Sequence, residues 1–244
     1  MSCWHLHNGP RSRLTSITAE QDNFLLGTMR SELNLQTLPD FPLVEPDDDL
    51  AELIGASLEK ASLQLEDGDI LVIAQKIVSK AENRYAHLNE AIPNTTAKKI
   101  GLEVEKDPRL VQLILDESKE IVAKRPGVLI VEHNRGFVHA NAGIDQSNIL
   151  SSDSNPRVLL LPKDPDRSAA SLRRRLIAKH GGQIGVIIND SAGRAWRNGS
   201  IGFAIGTSGL LALESMVGEK DLFGREMIVT EVAVADELAA AASF

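Results

Sequence analysis

Cysteine is almost missing from this chain. Cys3 is the single one in 244 residues, so no intrachain disulfide can form, and nothing near it in sequence would depress its pKa enough to make a nucleophile. No apolar run approaches the length of a membrane span. Positive charge is also in deficit: 26 Lys and Arg stand against 34 Asp and Glu, for a net charge of -8. That balance argues against a general nucleic-acid or anionic-membrane surface, while local basic clusters and a small anionic ligand stay compatible with it. Neither a GxGxxG nor a GxxxxGK[ST] phosphate loop occurs, and there is no internal repeat or low-complexity linker. The first 28 residues have neither an apolar h-region nor a small-residue cleavage site, so they do not read as a signal peptide. What remains is a globular chain, 43% hydrophobic and long enough to bury a core, expected in the cytoplasm with no nucleic-acid or membrane partner.

Residues 1-30 are expected to be a disordered leader, with Met29 as an alternative start. Their Cys-x-His-x-His pattern could suggest a metal site, but it sits where chain ends are loose. Beyond them, residues 31-244 read as one domain. LPDFPLVEPDDDLAELI is a Pro-punctuated extended stretch, then an acidic cap opening a helix of about residues 49 to 62. GDILVIAQKIVSKAE is a turn, a buried strand over 70 to 75 and a polar continuation. DPRLVQLILDESKEIVAKRPG predicts one helix from an Asp107 cap and Pro108 at N1, with Leu110, Val111, Ile114, Ile121 and Val122 on its apolar face and Pro126-Gly127 as its stop.

GVLIVEHNRGFVHAN predicts a hairpin around Asn-Arg-Gly. RVLLLPKDPDRSAASLRRRLIAKHGG predicts a strand, a loop and a helix capped near Asp166 with a Gly-Gly stop, and QIGVIIND a buried strand ending at Asp190. SIGFAIGTSG reads as a Gly-interrupted strand, MIVTEVAV as a further strand or a strand-helix junction, and VADELAAAASF as an Ala-rich helix. Strands and helices alternate without a βαβ rhythm, which predicts an α+β or α/β body around a mixed sheet rather than a Rossmann fold.

Asp145, just past a strand end, and Asp190, at the end of a strand, are each followed by oxygen or amide side chains. That is a hard-cation pattern for Mg²⁺ or Mn²⁺, with Ser191 as a further hydroxyl ligand; capping of turns is the competing reading. Ahead of Asp145, HANAG offers little to a core, so something is expected to approach its backbone closely. In NDSAGRAWRNGS, Arg194 and Arg197 could reach phosphate oxygens and Trp196 offers a flat surface; a solvated surface loop is equally consistent. Lys76 and Lys80 could be point charges for phosphates or ordinary surface lysines. Arg173, Arg174 and Arg175 turn about 100° apart on a helix and cannot share a ligand. His139, flanked by apolar residues with no partner to name, reads as structural.

At these residues the chain resembles the coenzyme F420-0:L-glutamate ligase family. The resemblance runs from about Leu38 to the end, through FPLVEPDDDLAELI, GDILVIAQKIVSKAE, KDPRLVQLIL, GFVHANAGIDQSNI, LLPKDPDRSAASLR, INDSAGRAWRNG and DLFGREMIVTEVAVADELAAAA in family order. It implies a mixed α+β fold, a homodimer, GTP as phosphoryl donor, and L-glutamate and the deazaflavin precursor F420-0 as the joined substrates. Mg²⁺ or Mn²⁺ is the implied metal, with K⁺ a further candidate. Position by position, it implies nucleotide contacts at Phe41, Pro42, Leu43, Val44, Gln75, Lys80 and Asn148, metal ligands at Asp145, Asp190 and Ser191, and no protein nucleophile. The chain departs from the family in having DSAGRAWR where DTFGRPWR is expected and AIGTSG where AIGVAG is usual. The family also continues past the Ala-rich helix with a Gly-Gln stretch that this chain is expected to lack. Two other readings stand beside the ligase: a truncated, non-catalytic binder of nucleotide or deazaflavin, and a metal-dependent phosphohydrolase.

Overall fold

A computed structural model describes residues 3–8 and 33–243. Most of the expected leader, including Met29, lies outside these residues. Inside it, Cys3–Asn8 forms strand β1, followed in the described chain by β2 (Leu33–Thr37); the side chains of the Cys-x-His-x-His pattern lie outside the description. Helix α1 (Leu50–Lys60) starts where expected because Asp49 accepts hydrogen bonds from the Ala51 and Glu52 amides, satisfying donors a helix start leaves free. β3 (Ile70–Ala74) follows, and α2 (Gln75–Ala81) begins at the next residue. Short β4 (Tyr85–His87) leads to α3 (Thr95–Val104), capped by Asn94, and α4 (Pro108–Asp116), capped by Asp107.

Here the structure corrects the single long helix expected to run to Pro126. α4 ends at Asp116, and β5 (Ser118–Arg125) pairs antiparallel with β6 (Val128–His133). Leu110, Val111 and Ile114 exhaust the helix's buried face. Glu117 then turns to Arg84, and the Ser118 hydroxyl bonds back to the Ile114 carbonyl. Ile121 and Val122 therefore sit on a strand, and Val122 is exposed. Pro126-Gly127 is a hairpin turn, with Gly127 at φ +77°, the left-handed value a type II turn demands at its third position.

β7 (Val138–Ala140) completes the expected hairpin with β6, and a 3₁₀ turn over Asn141–Gly143 follows. β8 (Arg157–Leu159) precedes α5 (Pro165–His180). The α5 cap is Asp164, two residues before the expected Asp166; Asp164 takes the Arg167 amide, while Asp166 accepts from the Thr207 amide. Arg173 and Arg175 diverge as expected, to the Ile184 carbonyl and to Asp49.

β9 (Gly185–Arg194) and β10 (Arg197–Ser208) overturn two further expectations. The strand does not end at Asp190, and NDSAGRAWRNGS is not a loop: it is a β-ribbon turning at Ala195 and Trp196. The Gly, Ser and Asn content reads as loop, but cross-strand pairs such as Ser191 with Gly202 prevail, and a bulge between Arg197 and Ser200 absorbs the extra residues. MIVTEVAV is the strand-helix junction of its two expected forms: short β12 (Glu231–Val232), paired with β11 (Glu214–Ser215), leads into α6 (Val234–Ala242).

The main sheet runs β10-β9-β3-β1-β2, with β3 and β9 parallel and the other neighbours antiparallel. β5-β6-β7 form a second, antiparallel sheet, and β4 pairs with β8. The architecture is mixed α+β and not Rossmann. Side chains alternate across β3 and β9 as strand geometry requires: Leu71, Ile73, Val186 and Ile188 join the core under α1, α2 and α5, while Val72 and Ile187 meet Ala235, Ala239 and Ala242 of α6. Burial on both faces explains why these strands read as unbroken apolar runs. A separate core, with Val111, Ile114, Leu129, Val131, Ala142 and Ile144, joins α3 and α4 to the second sheet. Among the described residues no helix is long and apolar enough to cross a membrane.

Candidate active site

β3 and β9 run side by side with Ala74 opposite Asn189, so their carboxyl ends deliver Gln75 and Asp190 to one crevice. Such crevices beyond parallel strands are where α/β sheets hold ligands. A cavity of about 530 Å³ opens there, lined by Leu43, Ala74, Gln75, Lys76, Lys80, Asp145, Asn148, Asn189, Asp190 and Ser191. Seven of the ten residues expected at the site from sequence are therefore together. The other three are not on its wall: Val44 is buried in the core, Phe41 packs against that core, and Pro42 is exposed. Their neighbour Leu43 is 79% exposed and reaches the cavity. Arg194, Trp196 and Arg197 stand at the ribbon's turn, outside the lining.

Asp145 is placed by a two-sided bridge to Leu159, its amide and carbonyl each paired at 2.9 Å. One carboxylate oxygen takes the Ser147 amide at 2.9 Å and its hydroxyl at 2.8 Å; the other lies 2.7 Å from the Lys76 ammonium. Burial works to raise the Asp145 carboxyl, but the Lys76 and Ser147 contacts outweigh it and hold the carboxyl below the usual aspartate range. The turn before it explains HANAG. Asn141, Ala142 and Gly143 all have positive φ, and a Cβ on Gly143 would stand 2.5 Å from a Leu161 methyl carbon. The close approach is thus made by the protein's own Leu161 side chain.

Lys80 is only 6% exposed, and among the described residues its ammonium has no hydrogen-bond or ion-pair partner. Burial is the main cause of a pKa below the ordinary lysine value; Glu45 opposes the shift, while Lys76 and Arg157 add to it. A little-exposed lysine on a cavity wall is suited to hold an anion there. Gln75 is held by the Ser79 hydroxyl, which donates to its side-chain oxygen at 3.0 Å.

Asp190 takes the Ser191 amide on one oxygen and presents the other, 3.2 Å away, to His139 Nε2. The two atoms are close but not aligned as a hydrogen bond. Burial, the largest influence on His139, disfavours its charged form, but Asp190 and the Ala140 and Ser191 backbone together raise its pKa. Asn189 donates to the Ser243 hydroxyl at 2.9 Å, while its own Oδ1 is buried without a hydrogen-bond partner. Asp145, Asp190 and the Ser191 hydroxyl are all hard donors, which fits a divalent cation such as Mg²⁺ or Mn²⁺. No cluster of three or more His, Cys, Asp or Glu occurs among the described residues, so an ion held here would complete its shell with water or ligand oxygens.

Sequence reasoning passed over Asn189, and for His139, which it read as structural, it could not name the partner Asp190. On β7 the apolar neighbours Val138 and Ala140 face outward and His139 faces in, the reverse of the usual alternation. Its partner is 51 residues away, so no local signal could name it.

A little-exposed lysine with no ion-pair partner among the described residues shares one cavity with two aspartates, at the carboxyl ends of parallel strands in a non-Rossmann α+β protein, an arrangement suited to an anionic ligand. The chain belongs to the F420-0:Gamma-glutamyl ligase family, which it matches over residues 40–244. It is 47% identical over 194 residues to the coenzyme F420:L-glutamate ligase of Methanocaldococcus jannaschii, covering 80% of this chain and 74% of the relative. The ligases of the same name from Methanopyrus kandleri and Archaeoglobus fulgidus are 46% identical over 210 residues (86% and 80%) and 45% over 202 residues (83% and 77%).

Proposed function

We propose that this chain is a cytoplasmic, homodimeric ligase that joins L-glutamate to the deazaflavin precursor F420-0 at the expense of GTP. The observation that carries the reading is Lys80: a residue only 6% exposed, whose ammonium has no hydrogen-bond or ion-pair partner among the described residues, in one cavity with Asp145, Asp190, Ser191, Asn148 and Gln75. A triphosphate needs a fixed cation and a carboxylate-held metal at once, and this cavity has the residues for both. Lys80 holds phosphate oxygens, while Gln75 and Asn148 supply amide groups for orientation. Asp145, Asp190 and Ser191 hold Mg²⁺ or Mn²⁺, which when bound neutralises charge on the phosphates.

Amide formation needs an activated carboxyl group. The terminal carboxylate of F420-0 attacks the γ-phosphorus of GTP, giving an acyl phosphate and GDP. The glutamate amine then attacks the acyl carbon, phosphate departs with the C–O bonding pair, and the amine loses a proton. The protein's part is to align the carboxylate with the phosphate and keep water from the acyl phosphate.

The test is to incubate the chain with F420-0, radiolabelled glutamate, GTP and Mn²⁺, and to follow the labelled product and GDP together. Product and GDP should form one for one, and omission of F420-0 should stop both. GDP release that ignores F420-0 and glutamate would make the protein a phosphohydrolase; binding without turnover would make it a nucleotide- or deazaflavin-binding relative.

A further inference from the structure

The site's two carboxylates come from different parts of the fold. Asp190 belongs to the main sheet, on β9. Asp145 ends the segment that leaves β7 of the second sheet, and Ile144 beside it is buried in that sheet's core. Their spacing therefore depends on how the two sheets are joined. At that join stands His139, on β7 and six residues before Asp145, with Nε2 3.2 Å from the Asp190 carboxylate and Nδ1 2.8 Å from the Ala140 carbonyl. It is 9% exposed and flanked by Phe203, the cross-strand partner of Asp190, at 5.6 Å between ring centroids. His139 does not line the cavity, so it has no reach to a ligand there.

We propose that His139 is a positioning residue: by anchoring β7 to Asp190 it sets the separation of Asp145 and Asp190, and through that the site's ability to hold a divalent cation. The inference rests on the proposed metal role of the two carboxylates. Its physical basis is the immobilisation of a ligand by an outer partner, whose loss commonly weakens metal binding about 10- to 100-fold.

The experiment is a Mn²⁺ titration of the full chain, read by the loss of free-ion electron paramagnetic resonance, with circular dichroism on each variant. Asp190→Asn should weaken binding at least about tenfold, and His139→Leu, which keeps the volume but removes the polar contact, should approach that loss. His139→Gln, whose amide keeps a polar group able to contact Asp190, should stay within about threefold of the parent. The double variant His139→Leu/Asp190→Asn should bind no more weakly than Asp190→Asn alone, because a residue acting through Asp190 has nothing left to act on. A folded His139→Leu protein with unchanged affinity, or losses that multiply in the double variant, overturns the proposal. If His139→Leu does not fold, His139→Gln decides: a loss of tenfold or more overturns the anchoring role. If the parent chain takes up no Mn²⁺, the metal reading itself fails. The anchor is then read by amide hydrogen exchange, where His139→Leu should speed exchange on both β7 and the Asp190 end of β9. Unchanged exchange on either strand overturns it.

Discussion

Lys80 shows how much one residue's surroundings decide. Its neighbour in motif, Lys76, is satisfied by Asp145 and Ser147, whereas Lys80 is more deeply placed and has no such partner among the described residues. Lys80→Ala should therefore weaken GTP binding by about 1 to 3 kcal/mol, the range for a charge-assisted contact, as measured by calorimetric titration with Mn²⁺ present. A change within about 0.5 kcal/mol would return Lys80 to an ordinary lysine. Asp145→Asn and Asp190→Asn should each abolish glutamate incorporation while leaving the circular dichroism spectrum intact, because neither carboxylate belongs to an apolar core. Glu117 carries a prediction about pH. Its carboxyl is lowered first by His133, against burial, with Arg84 adding to the effect at 3.2 and 3.3 Å. A depressed folded pKa contributes stability that is present above the ordinary glutamate value of about 4.3 and is lost as pH falls through the folded value. Urea midpoints measured from neutral pH into that acid window should fall less steeply for Glu117→Gln than for the parent.

At the scale of elements, α6 is an Ala-rich helix with little apolar area to bury, so its seat depends on close approach. A Cβ at Gly202 would lie 1.9 Å from the Ser243 hydroxyl and 2.5 Å from the Ala239 carbonyl. Gly202→Ala should thus push α6 off the sheet and cost about 1 to 3 kcal/mol or more of unfolding free energy, measured by denaturant titration. Because Ser243 also accepts from Asn189, the same change should weaken Mn²⁺ uptake, an effect that an unrelated surface glycine would not have. The split of the expected long helix into α4 and β5 belongs to this scale too. Its apolar spacing serves the helix only to Ile114, and pairing with β6 makes a strand of Ser118–Arg125.

The whole molecule carries an apolar surface on the arm that holds β11 and β12: Leu211, Leu213, Leu222, Phe223, Ile228 and Val229 are all more than half exposed. Such a stretch signals a partner more than scattered single residues do. With the proposed homodimer, sedimentation should give twice the mass of the chain. Leu222→Ser with Phe223→Ser should shift that equilibrium toward the monomer without changing the monomer's circular dichroism. An unshifted dimer would place the interface elsewhere.

The sequence by itself determined the elements whose signals are local: the acidic cap before α1, the Asp107 cap, the buried β3 run, the hairpin around Asn-Arg-Gly, and the α+β character. Its motifs, through their family resemblance, also named seven residues that share the cavity. Tertiary structure decided what depends on distant partners. Asp190 became a mid-ribbon residue because β10 pairs alongside it, and Lys80 became buried because the fold closes over it. His139 turned inward because its partner lies 51 positions along the chain. Capping and alternation act between residues a few positions apart and are written in their order, whereas ion contacts and strand pairings between remote segments exist only once the chain has brought them together.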